Sequence, residues 1–154
     1  MENLVWERIS EYLSAKDGYS LWGSNGIESS DAIQGQLGNC WLVTAAMSIA
    51  KQPGRLKEIF KVQELNDAGV YALDLWLLGM PITVMLDDKM PLNKESLLPE
   101  YAQPSKDGAL WGSLFEKAAG KYLGNYEIAN AGGGGHGIEV MTGAPYSTIE
   151  HAEL

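Results

Sequence analysis

The chain has 154 residues, 45% apolar and 20% charged, a composition that predicts one folded domain with a single core rather than a disordered segment. Eleven Lys and Arg against twenty Asp and Glu leave a formal charge of −9, which argues against nucleic acid or an anionic membrane as partner. The longest apolar run, Trp41 to Ala50, is about half a membrane span, no basic-then-apolar leader is read at the start, and Cys40 is the single cysteine, so a reducing, cytoplasmic setting without an internal disulfide is expected.

In chain order, Leu4, Val5, Ile9, Tyr12 and Leu13 recur at helical spacing and predict a first helix over residues 1–15, ended by Asp17-Gly18. Residues 19–31 read as a loop rich in Ser, Gly, Asn and acids. A second helix is expected to begin at Cys40 with Asn39 as N-cap, to be apolar nearly all round, and to stop at Pro53-Gly54. A short amphipathic piece at residues 55–61 turns Leu56, Ile59 and Phe60 inward. Two strands follow, Val70 to Leu78 and Ile82 to Leu86, joined by the turn Gly79-Met80-Pro81. Residues 89–107 read as a long irregular loop with Pro91, Pro99 and Pro104. A third helix spans residues 109–123, with Leu110, Leu114, Ala118 and Tyr122 on one stripe and Gly124 as its stop. The glycine-rich tract from Gly132 to Gly137 is expected to be flexible. The fold class is therefore α+β, mainly helical, with a small antiparallel sheet.

A lone cysteine is ordinarily a small buried hydrophobe. Its neighbours here say more: Gln34-Gly-Gln-Leu-Gly-Asn-Cys40-Trp41 is a turn-rich loop leading directly into an apolar helix. At the first helical position, free backbone amides and the helix dipole favour a thiolate. Gly38 lets another backbone approach, and the amide of Gln34 is placed to share an oxyanion with the Cys40 N–H.

Gly-x-Cys-Trp at a helix start is the arrangement of papain-like cysteine peptidases, although the papain signature carries a further cysteine where this chain has Leu37. The longer run from Gln34 to Leu42 resembles the calpain family of calcium-dependent cysteine peptidases. So do Leu86-Asp87-Asp88-Lys89-Met90-Pro91, Leu110-Trp111 through Leu114-Phe115-Glu116-Lys117-Ala118, and Asn125-Tyr126-Glu127 leading to Met141-Thr142-Gly143. The resemblance covers about residues 22–146 and implies the N-terminal lobe of a papain-like protease core. It implies Cys40 as nucleophile, Gln34 as oxyanion-hole side chain, and Gly137 where a gating loop meets substrate backbone; by itself Gly137 reads equally as a turn glycine. Asn39 departs from the aspartate commonest in the family.

The same resemblance implies one calcium site, on the carbonyls of Ser24 and Gly26 and the carboxylates of Asp31 and Glu116. Gly112 and Gly120 flank Glu116 one turn away on either side, which leaves room for a loop beside it. Read without the resemblance, Asp31 caps a turn and Glu116 is a solvated helix charge.

What the chain does not show is a base. His136 lies in the glycine tract and His151 near the end, and the family's Gly-His and Asn-Pro-Trp motifs are absent. In calpains the histidine and asparagine belong to a second lobe, so the expectation is a lobe that is inactive until a second lobe or another chain completes it. The substrate class would be proteins or peptides, and the expected location is the cytoplasm, with the cytoskeleton as one place of association within it. The alternative is a catalytically silent calpain-related protein that acts as a binding or scaffolding module.

Overall fold

Ten consecutive residues without a charge, Trp41 to Ala50, form the central helix of the molecule, with only Thr44, Met47 and Ser48 exposed. The computed structural model describes residues 3–9, 11 and 18–149. Its elements are β1 (Leu4–Arg8), α1 (Cys40–Ala50), α2 (Pro53–Ile59), β2 (Val70–Leu77), β3 (Met80–Asp87), β4 (Lys89–Asn93), α3 (Trp111–Leu123) and α4 (Gly134–Thr142), with 3₁₀ turns at Ser29–Asp31 and Glu127–Ala129. The fold is α+β. Trp41, Leu42, Ala45, Ala46, Ile49 and Ala50 of α1 are buried against Leu56 and Ile59 of α2, Leu114, Phe115 and Ala118 of α3, and Val140 and Met141 of α4. Each buried Leu, Ile or Phe side chain contributes roughly 1.5–3 kcal/mol through the apolar surface it removes from water.

The strands make two separate two-stranded antiparallel sheets rather than one, β1 with β4 and β2 with β3. In the β2–β3 hairpin Tyr71, Leu73 and Leu75 face Leu86, Val84 and Ile82 across the inward side. The turn is the two residues Leu78-Gly79, both at positive φ (50° and 78°), which is the type I′ geometry whose twist suits a tight hairpin. The expected turn at Gly79-Met80-Pro81 is thus corrected: Met80 and Pro81 belong to β3, opposite Leu77 and Trp76.

Three other expectations change. The first helix does not form over Leu4–Arg8, which is β1, paired from Leu4↔Asn93 to Arg8↔Lys89. Its partner β4 lies inside the stretch expected to be an irregular loop. Helical spacing lost to edge pairing because a free strand offers a row of unmet backbone groups that periodicity does not register. Ile9 and Glu11 are helical, and the remainder of the expected first helix, with Asp17, lies outside the described residues. Pro53 starts α2 at its first position, where a missing N–H costs nothing, instead of merely ending α1.

The glycine tract is the third correction, since residues from Gly134 onward form α4, packed along α1. Glycine is a poor helix former, but close packing selects it here. A Cβ at Gly137 would lie 2.6 Å from Ala45 Cβ and 3.0 Å from the Trp41 carbonyl. The corner between the two sheets is tied by charge. Arg8 Nε donates to the buried Asp88 carboxylate at 3.0 Å. Lys117 of α3 donates to the Asp87 carbonyl at 3.0 Å, pairs with the Asp87 carboxylate, and lies 5.6 Å from the Trp6 ring centroid.

Candidate active site

Cys40 is the first residue of α1 and its side chain region is exposed, while Trp41 immediately after it is buried. The contrast aims the thiol outward and roots the helix inward. Trp41 Nε1 donates to the Ala129 carbonyl at 2.8 Å, and its ring stacks on that of His136 with centroids 5.2 Å apart and planes 7° from parallel. The loop before the cysteine is clamped on both sides. Gly38 N–H donates to Asn130 Oδ1 at 2.8 Å, and its carbonyl accepts the Ala131 N–H at 3.1 Å.

Further back, Gln36 N–H donates to the Glu100 carbonyl at 2.9 Å and Gln103 N–H to the Ile33 carbonyl at 3.0 Å. These bonds draw Gly35 so close to the neighbouring strand of chain that a Cβ there would sit 1.9 Å from the Tyr101 carbonyl oxygen. Only glycine permits that approach. Gln34 is exposed, and its Nε2 donates to the Leu37 carbonyl at 2.6 Å. A primary amide carries two N–H bonds, so this contact orients the group and leaves one donor for an oxyanion.

Asn39 is corrected as a cap. Its side chain makes no capping bond; its backbone carbonyl accepts the Leu42 and Val43 amides at 2.9 and 3.1 Å and starts the helix alone. The side chain turns inward, fully buried, and Nδ2 donates to Glu116 Oε1 at 2.5 Å. Asn39 Oδ1 is the single buried side-chain oxygen or nitrogen without a partner among the described residues.

Gly137 lies in α4 rather than in a loop, buried against Ala45 and the Trp41 carbonyl. His136 is held by its stack on Trp41 and is not in a flexible tract. No hydrogen bond joins it to Cys40 among the described residues; His151 lies outside them.

Of the expected calcium ligands, Asp31 and Glu116 are both buried, so Glu116 is not a solvated charge. The room predicted beside Glu116 is used: a Cβ at Gly112 would lie 3.3 Å from Ala32 Cα and from the Asp31 carbonyl, and one at Gly120 would lie 3.2 Å from the Tyr126 ring. Asp31 Oδ2 accepts Trp111 Nε1–H at 3.0 Å and the Glu28 N–H at 2.8 Å, which makes it the turn cap expected from the residues alone. Glu116 Oε2 accepts the Ala102 N–H at 2.6 Å, so both its oxygens are committed to donors of the chain itself. Ser24 and Gly26 lie in a loop gathered on Asp107, with Ser24 N–H on the Asp107 carbonyl at 3.1 Å and Asn25 N–H on its carboxylate at 3.1 Å. Burial pushes the Glu116 carboxyl up, and the Ala102 and Asn39 bonds only partly oppose this. A buried carboxyl with both oxygens closed on donors of the chain has none left to offer calcium, so as folded these residues do not fit the ion.

The set of features around Cys40 has a counterpart in known proteins, for the family described as calpain family cysteine protease matches residues 1–153. The chain belongs to the calpain family. A calpain-type cysteine protease of Zea mays, DEK1, is 31% identical over 138 residues, covering 84% of this chain and 6% of that protein. Calpain-5 of Mus musculus is 30% identical over 138 residues, covering 84% and 21%. The calpain-2 catalytic subunit of Gallus gallus is 30% identical over 145 residues, covering 92% and 20%. The chain therefore spans about a fifth or less of the length of these relatives. The calpain resemblance drawn from Gln34 through Met141-Thr142-Gly143 is thereby established at the level of the family. Asn130 and Ala102, which set the geometry around Cys40 and Glu116, carried no motif, and Trp111 lay in a quoted motif without a role; only the fold brings them to these partners.

Proposed function

We propose that this calpain-family segment supplies the nucleophile and oxyanion hole of a cysteine endopeptidase acting on protein or peptide substrates in the cytoplasm. The observation that carries the reading is an exposed Cys40 at a helix start, directly after a loop whose clamped backbone orients the Gln34 amide. In the proposed chemistry the Cys40 thiolate attacks the scissile carbonyl carbon, and the C–S bond forms as the carbonyl electron pair moves to oxygen. That oxygen is met by the Cys40 backbone N–H and the remaining Gln34 N–H. Collapse expels the amine, which takes a proton from an imidazolium, and water then hydrolyses the thioester. The imidazole and the asparagine that orients it are assigned to a second lobe or another chain.

Calcium belongs to this proposal only as a ligand exchange on Ser24, Gly26, Asp31 and Glu116. The ion would have to take Glu116 from Asn39 and Ala102, and no step is derived through it. A second reading, a silent binding or scaffolding module, is favoured by one fact: no hydrogen-bonded base stands beside Cys40 among the described residues. Labelling with an epoxide thiol-protease reagent, with and without an added calpain C-terminal lobe, separates the two. Labelling of Cys40 that rises with the lobe is expected, and labelling that the lobe leaves unchanged would reject the peptidase reading in favour of the module.

A further inference from the structure

Asn39 is 0% exposed although it is polar and directly precedes an exposed cysteine. Burying an amide with an unmet acceptor is costly, so something must hold it inward against that cost. The holding contact is the 2.5 Å bond from Asn39 Nδ2 to Glu116 Oε1, and Glu116 is itself fixed through Oε2 by the Ala102 amide. No side chain caps α1, so beside the Trp41 contacts and the clamped Gly38 it is this link that ties its first turn to α3.

We propose that Glu116, acting through Asn39, is a positioning residue that fixes the Cys40 end of α1 without any cation. This deepens the reading of Cys40 as nucleophile and rests on it. The amide N–H of Asn39 provides the positive end that a carboxylate needs when buried; an aspartate at this position would set two carboxylates against each other. The link runs from Ala102 through Glu116 and Asn39 to the amide and thiol of Cys40. Slack at any point lets the first turn fray, and the thiol then loses its fixed place at the helix start.

Because Cys40 is the only cysteine, its alkylation can be read on the whole chain with iodoacetamide, in buffer with a calcium chelator. Glu116→Ala is expected to slow alkylation about threefold or more. Simple charge removal predicts the opposite sign, since losing a nearby negative charge speeds a thiolate reaction. Asn39→Asp should also be slow. The double variant Asn39→Asp/Glu116→Gln reverses the polarity of the bond while keeping the pair's total charge, and should return the rate to within about twofold of the parent. Ser105→Ala removes a buried bond outside the link, Ala109 N–H to Ser105 Oγ at 2.8 Å, and should lower the melting temperature without changing the rate.

Glu116→Ala alkylating as fast as the parent or faster, while its near-UV circular dichroism shows it folded, would overturn the proposal. So would a folded double variant as slow as Asn39→Asp; if a single variant fails to fold, the double variant decides. Alkylation needs only the thiol, so failure here is distinct from failure of the epoxide labelling that tests the peptidase reading.

Discussion

Replacing Gly137 by alanine tests whether this glycine serves packing or substrate. A Cβ at Gly137 would meet Ala45 Cβ at 2.6 Å, about 1 Å inside ordinary carbon–carbon contact, and the Trp41 carbonyl at 3.0 Å. Both obstacles belong to α1, so α4 must move away or strain. Overpacking of this kind costs about 1–3 kcal/mol. Alanine also gains up to about 1 kcal/mol of helix propensity over glycine, which would mask part of the loss. The comparison that removes this gain is Gly134→Ala, in the same helix, where a Cβ meets nothing within 4 Å. The difference between the two variants isolates the packing cost. For a chain of 154 residues each kcal/mol is about 2–4 °C in melting temperature, so Gly137→Ala should melt roughly 2–12 °C below Gly134→Ala. Thermal denaturation followed by circular dichroism measures it, and the Trp41–His136 stack should lose near-UV signal in Gly137→Ala alone. If Gly137→Ala proves as stable as Gly134→Ala, the packing account is wrong and the substrate role regains its standing.

Three further outcomes are expected. Titration with calcium in a calorimeter should give no binding event that depends on Asp31, because its carboxylate is committed to Trp111 Nε1 and the Glu28 amide; an event that Asp31→Ala abolishes, with a change in Trp111 emission, would refute the reading that these residues do not fit the ion. Asp74 and Asp87 are pushed up by burial, but Lys61 with Thr83 and Lys117 with Lys89 more than reverse this, so both folded-state values lie below the usual carboxylate range. Their stabilisation is therefore complete above about pH 4, where the unfolded carboxylates ionise, and is lost as pH falls through the lower folded values. The melting temperature should drop over that acid range, and Lys61→Met/Lys117→Met should flatten the drop. Asn130→Ala removes the acceptor of the Gly38 N–H at an exposed position where water replaces it, so stability should fall by only about 0.5–1 kcal/mol while epoxide labelling of Cys40 in the presence of a second lobe falls severalfold.

The sequence by itself determined the elements whose signals are local. An uncharged run marks α1, a stripe at Leu110, Leu114 and Ala118 marks α3, and alternation in Val84 and Leu86 marks β3. Cys40 at a helix start, with Gln34 upstream, was legible for the same reason, since chain order alone places them together. Only the tertiary structure decided what depends on partners distant in the chain. β1 exists because β4 pairs with it, and α4 lies on Trp41 and Ala45 because Gly137 lets it come close. Asn39 is a helix cap by local chemistry, yet it spends its side chain on Glu116, 77 residues away. A buried hydrogen bond outweighs a solvated cap because leaving the buried carboxylate unmet would cost more than leaving a helix end to water.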